Sequence, residues 1–105
     1  VSAIKKGRGV AVYAAAKAAI DAFTRALSTE VGRKNIRVNC IRPGVINTTM
    51  SGPLLERAHD IVNASTALSR FGYPNEISKA VLFIASNNTA SYMTGETFTI
   101  DGGMF

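Results

Sequence analysis

At 105 residues and 47% hydrophobic content, the chain has the size of one small domain and is too apolar for a disordered tail. Twelve basic residues against seven acidic ones give a charge of +5, but the bases are scattered apart from Lys5-Lys6-Gly7-Arg8 and Arg33-Lys34; without a basic stripe carrying aromatics, no nucleic-acid partner is expected. The lone cysteine, Cys40, excludes an internal disulfide framework and suits a reducing, cytoplasmic setting, and no signal peptide or membrane-length apolar run is read.

Val1 to Ile4 reads as the end of a strand, and Lys5 to Gly9 as a polar loop. A long helix is expected from about Val10 to Val31, because Ile20, Phe23, Leu27 and Val31 recur at helical spacing. Gly32 is expected to stop it in a left-handed conformation. Ala14, Ala15, Ala16, Ala18, Ala19 and Ala22 keep this helix slim enough for a sheet, a second helix and a ligand to approach. Tyr13 and Lys17 stand four apart on it and so share a face. A phenol is a poor base at neutral pH; a nearby ammonium favours the phenolate and suits the pair to proton transfer at a carbonyl or alcohol.

Ile36 to Arg42 alternates like a strand, and Pro43-Gly44 ends it. Val45 to Met50 is a loop rich in hydroxyl groups, and the weakly helical Ser51 to Ser69 is a candidate lid. Arg70 to Pro74 is a turn, after which Asn75 is the expected N-cap of a helix over 76–86 with Ile77, Ala80, Val81, Ile84 and Ala85 as its apolar stripe. A polar connector over 87–95 leads to a strand from Glu96 to Ile100, and Asp101-Gly102-Gly103 turns the chain. Two strands and a stub joined by helices imply a parallel sheet with too few strands to cover its faces. The expected fold is therefore α/β, with residues 1–105 forming the C-terminal half of a doubly wound, Rossmann-like domain whose first half lies elsewhere.

Several stretches in register resemble the short-chain dehydrogenase/reductase family. Tyr13-Ala-Ala-Ala-Lys17 is similar to its Tyr-x-x-x-Lys, Ile36-Arg-Val-Asn through Pro43-Gly44 to its strand and Pro-Gly exit, and Ile46-Asn-Thr48-Thr-Met50 to its Ile-x-Thr-x-Met. Arg70-Phe-Gly, Pro74-Asn-Glu76-Ile77, Thr94-Gly95 and Asp101-Gly102-Gly103 resemble its C-terminal signatures. The resemblance implies hydride transfer between NAD or NADP and a small carbonyl or alcohol substrate in the complete protein, built as a homotetramer or homodimer. It implies Tyr13 as proton donor or acceptor, and Lys17 as the partner of the nicotinamide ribose that also favours the Tyr13 phenolate. Pro43 and Gly44 would pass close beside the nicotinamide, with main-chain groups of Ile46 and the Thr48 hydroxyl on its carboxamide. Ser2 would be the catalytic serine through a loop shortened by two residues. The glycine-rich pyrophosphate cradle, the residue choosing between NAD and NADP and the upstream catalytic asparagine have no counterpart here; Asn39 lies in a strand. The competing expectation is a catalytically inactive fragment or a scaffold without activity.

Other residues read as ordinary structure. Cys40 is a small hydrophobe in a strand, His59 a solvated helix position that cannot alone make a metal site, and Asp101 turn chemistry. Without Tyr13 and Lys17, Pro43-Gly44 would be an ordinary turn.

Overall fold

The computed structural model describes residues 10–49 and 52–105. Helix α1 spans Ala11–Val31, β1 Cys40–Pro43, α2 Gly52–Ala64, α3 Pro74–Ala85, α4 Asn87–Ala90 and β2 Thr97–Ile100. The expected pairing holds: β1 and β2 are parallel, with Cys40 opposite Thr97 and Pro43 opposite Ile100.

Element ends differ from the sequence expectation for identifiable reasons. Gly32 keeps right-handed helical angles (φ −59°, ψ −36°), and the helix tightens into a 3₁₀ turn over Gly32–Lys34. The left-handed residue is Asn35 (φ 60°, ψ 34°), whose N–H closes onto the Gly32 carbonyl; asparagine is the side chain best tolerated there after glycine. The strand begins only at Cys40; before it the Val38 carbonyl still accepts the Gly95 N–H (2.7 Å), but side-chain bonds take the neighbouring positions. Thr94 Oγ1 accepts from the Val38 N–H (3.0 Å), and the Asn39 amide donates to the Met93 carbonyl (2.8 Å). The Arg37 guanidinium gathers the carbonyls of Ile84 (2.7 Å) and Ala85 (2.9 Å), satisfying the end of α3. Asn75 is not the cap of α3. Pro74 opens the helix, where its missing N–H costs nothing, and Tyr73 takes the capping position. The connector over 87–95 contains the short α4, whose Asn88 N–H is accepted by Ser86 Oγ (3.3 Å).

Helix α1 is pinned through its polar side. The Asp21 carboxylate pairs with Arg42 of β1 and accepts from Thr97 Oγ1 of β2 (3.1 Å). Farther along, Ser28 is buried with its Oγ in the space where Gly95, just before β2, would carry a Cβ. Thr24 and Ser28 are thus the buried positions, while Ile20 and Phe23 of the expected apolar ridge stand exposed, Phe23 at 64%. Among the described residues the buried hydrophobic side chains are Val62, Ile84 and Ala90. The radius of gyration, 15.4 Å, exceeds the roughly 13 Å of a compact domain this long.

The two strand exits meet closely. A Cβ on Gly44 would lie 2.7 Å from both Cα and Cβ of Asp101. Backbone cannot swing aside as a side-chain tip can, so Gly44→Ala must part the strands. Overpacking of this kind costs roughly 1–3 kcal/mol. The variant of the full-length protein is expected to melt several degrees lower in calorimetry; an unchanged melting temperature would mean that the exits adjust freely.

Candidate active site

The connections seen in α1 fix where its first turns lie. From Asp21 to Ser28 the helix moves back toward the segment preceding β2, so it runs antiparallel to both strands. Tyr13 is eight residues before Asp21, about 12 Å along the helix axis. From Thr97, which Asp21 contacts, to Ile100 the strand advances about 10 Å. Tyr13 therefore comes level with the carboxyl ends of β1 and β2, where ligands bind in open α/β sheets, and Lys17 lies one helical turn short of them. Each four-residue step drifts about 40° around the helix. That drift turns Tyr13 and Lys17 away from the Asp21 anchor toward open space, and both are exposed, Tyr13 at 52%. The Lys17 ammonium lies 5.3 Å from the centroid of the Tyr13 ring. It sits over the aromatic face, within the usual reach of a cation–π contact.

At the same edge three connectors are knitted together. The loop leaving β1 pairs with the turn before α3: the Asn47 N–H donates to the Gly72 carbonyl (2.9 Å) and the Gly72 N–H to the Val45 carbonyl (3.0 Å). Asp101 makes the expected turn, with Oδ1 accepting the Gly103 N–H (3.0 Å) and Gly102 and Gly103 at φ 67° and 71°. That turn folds the last residues back, so that Ala67 and Leu68 donate to the carbonyls of Gly103 and Gly102 (3.0 Å each). Val45, Ile46, Phe71, Ile77, Ile100 and Asp101 line a small pocket between these connectors. Pro43 and Thr48 are exposed, and Gly44 and Ile46 are half-buried.

An ion pair holds the turn. Arg70 donates to both oxygens of Glu76 (2.9 and 2.7 Å) and to the Phe71 carbonyl (3.0 Å), while the Tyr73 N–H donates to Glu76 Oε2 (2.9 Å). The Arg70 hydrogen bonds, then the Tyr73 N–H, pull the Glu76 carboxyl down from the ordinary 4.5 to about 2, and the Arg70 guanidinium is raised. A depressed carboxyl favours the folded state above its unfolded value, so this contribution is complete above about pH 5 and fades as pH falls toward 2.

Tyr13 and Lys17 are brought together, and Pro43, Gly44, Ile46 and Thr48 follow one another at the strand exit; Ser2 lies outside the described residues. Sequence reasoning missed Asp21, although it continues the four-residue step of Tyr13 and Lys17. It also missed the Arg70–Glu76 clamp, whose signal is a Glu three residues after the capping position. His59 is exposed, as expected, with its ring 5.5 Å from that of Phe71. Cys40 is half-buried in β1.

The sequence profile of a family described as enoyl-(acyl carrier protein) reductase matches residues 1–105. A solved short-chain dehydrogenase/reductase from Brucella melitensis superposes on 100% of the chain with a TM-score of 0.90 at 39% identity. The chain belongs to the short-chain dehydrogenase/reductase family. Its α/β architecture is the Rossmann-like one of this family, of which it spans 42% in the Brucella protein. Within the family, 3-oxoacyl-acyl-carrier-protein reductase FabG of Chlamydia trachomatis is 52% identical over 92 residues, 88% of this chain and 37% of that protein. A 4-hydroxyisoleucine dehydrogenase solved with NADH matches 97% of this chain and 42% of its own, with a TM-score of 0.90 at 32% identity. Among the described residues, no helix is long and apolar enough to cross a membrane and no cluster of three His, Cys, Asp or Glu forms.

Proposed function

We propose that the complete protein is an NAD(P)-dependent oxidoreductase that interconverts a carbonyl and an alcohol, with Tyr13 and Lys17 as its acid–base pair. The observation that carries this reading is the pair itself, exposed on α1 with 5.3 Å between ammonium and ring. The donor set suits a nicotinamide nucleotide: an ammonium and a phenol for ribose hydroxyls, and the Thr48 hydroxyl with Ile46 main chain for a carboxamide. When bound, the nucleotide supplies the hydride. Tyr13 Oη gives its proton to the carbonyl oxygen during reduction and takes it back during oxidation. Lys17 holds the ribose and places positive charge beside the phenol. Ser2, upstream of α1, orients the carbonyl oxygen.

The likeness to 3-oxoacyl-acyl-carrier-protein reductases supports a 3-oxoacyl thioester as the substrate. Residues 1–105 then supply the C-terminal portion of one NAD(P)-binding domain, and the exposed apolar faces of α1 and of α3 with β2 serve contacts between subunits. The test is oxidation of NADH or NADPH by the full-length protein with a 3-oxoacyl thioester and with an unrelated ketone. Turnover of the thioester is expected; failure to bind either nucleotide at millimolar concentration would overturn the reading. Lys17→Met is expected to weaken nucleotide binding tenfold or more, since a hydrogen bond from a charged group contributes roughly 1.5–3 kcal/mol. A fluorescence titration unchanged by the substitution would remove Lys17 from the ribose.

A further inference from the structure

We infer that the Arg70–Glu76 ion pair is a positioning device for the loop that leaves β1, and through it for the nicotinamide end of the cofactor. This rests on the reading above that Ile46 and Thr48 hold that end. The loop has no regular structure of its own. Gly72 ties it down, exchanging two main-chain hydrogen bonds with Val45 and Asn47 and lying so close to Ile46 that a Cβ would meet Ile46 Cδ1 at 2.7 Å. Gly72 in turn sits in a short turn between Arg70 and Tyr73, and Glu76 grips both of its ends. It takes the Arg70 guanidinium through two oxygens and the Tyr73 N–H through one of them. Because Glu76 stands in the first turn of α3, the grip ties the loop to a rigid element.

Magnitude separates positioning from stabilisation. The pair is well exposed, at 47% and 38% for the two side chains, and ion pairs in such settings contribute little to global stability. What four convergent hydrogen bonds do supply is a fixed direction for the turn, and displacement of a binding loop by an ångström has large effects on ligand geometry. No atom of the pair needs to touch the cofactor. Arg70 and Glu76 act through Gly72 on Val45, Ile46 and Asn47.

The experiment uses the full-length protein and its Glu76→Ala, Glu76→Gln and Arg70→Met variants. Amide hydrogen exchange at Asn47 and Gly72 reads the loop, and NADH or NADPH fluorescence titration with the KM and kcat for the nucleotide reads the site. Glu76→Ala and Arg70→Met are expected to speed exchange at both amides and to raise the nucleotide Kd and KM about tenfold. At saturating nucleotide, kcat stays within about threefold and the melting temperature moves little. Glu76→Gln, which keeps an acceptor for the Tyr73 N–H, falls between. Unchanged exchange at Asn47 and Gly72 would overturn the clamp whether or not any nucleotide binds. Faster exchange with an unchanged Kd would overturn its link to the cofactor. A parent protein that binds no nucleotide would overturn the functional reading and that link together, while the exchange data still decide the clamp.

Discussion

Tyr13→Phe in the full-length protein is expected to lower turnover by about 10²–10⁴-fold, the usual worth of a positioned general acid, and to weaken nucleotide binding by no more than about tenfold, the worth of the one neutral hydrogen bond its Oη gives the ribose. The substitution removes Oη and keeps the ring. The Lys17 ammonium lies over the ring face, 5.3 Å from its centroid, so its contact with the aromatic surface survives. With Tyr13 52% exposed, little packing is lost and the fold should be unaffected. Steady-state turnover, a fluorescence titration and a thermal melt on the same preparation separate the three quantities. Turnover within threefold of the parent would take Tyr13 out of the proton transfer. A drop in melting temperature matching the drop in activity would make the residue structural.

The parts of the fold legible in sequence are those written in local period. Helix α1 was readable because twenty-one residues keep one pattern without a break, and β2 because its apolar residues end in a glycine pair. Ile36 to Asn39 shares the alternation of β1 yet stays outside the regular strand, with one main-chain bond, from the Gly95 N–H to the Val38 carbonyl. Its Arg37 and Asn39 are committed to the end of α3 and to the connector after α4, fifty or so residues away. No local pattern encodes such partners. Asp21 was unreadable for the same reason: an acidic residue in a helix usually meets water, and only the arrival of Thr97, 76 residues later, makes it an anchor. The helix stop shows a weaker limit. Glycine and asparagine both tolerate the left-handed region, and which of Gly32 and Asn35 takes it depends on whether a final 3₁₀ turn forms. The Tyr13–Lys17 juxtaposition was legible because a helix guarantees it, whereas its position relative to the strand ends required the Asp21 anchor.

Residues 1–105 expressed by themselves are expected to associate, bind no NAD(P)H and give no cooperative melt as a monomer. The reason is the surface left without cover. Val12, Ile20 and Phe23 on α1 and Val81, Leu82 and Phe83 on α3 are all exposed, Leu82 at 72%. Fully burying one such side chain contributes about 1.5–3 kcal/mol, and a small domain is stable by only about 5–15 kcal/mol in all. A handful of uncovered positions is thus comparable to the entire stability. Exposed apolar surface beyond a few hundred Å² also drives self-association. The two four-residue strands among the described residues cannot compensate, because a parallel pair needs both faces covered to be stable. Sedimentation at several concentrations should therefore show mass that rises with concentration, and a hydrophobic dye should bind. A protein that sediments as a monomer and unfolds in one sharp transition would mean that Val62, Ile84 and Ala90, with the polar anchors at Asp21 and Arg37, suffice to hold the sheet against its helices.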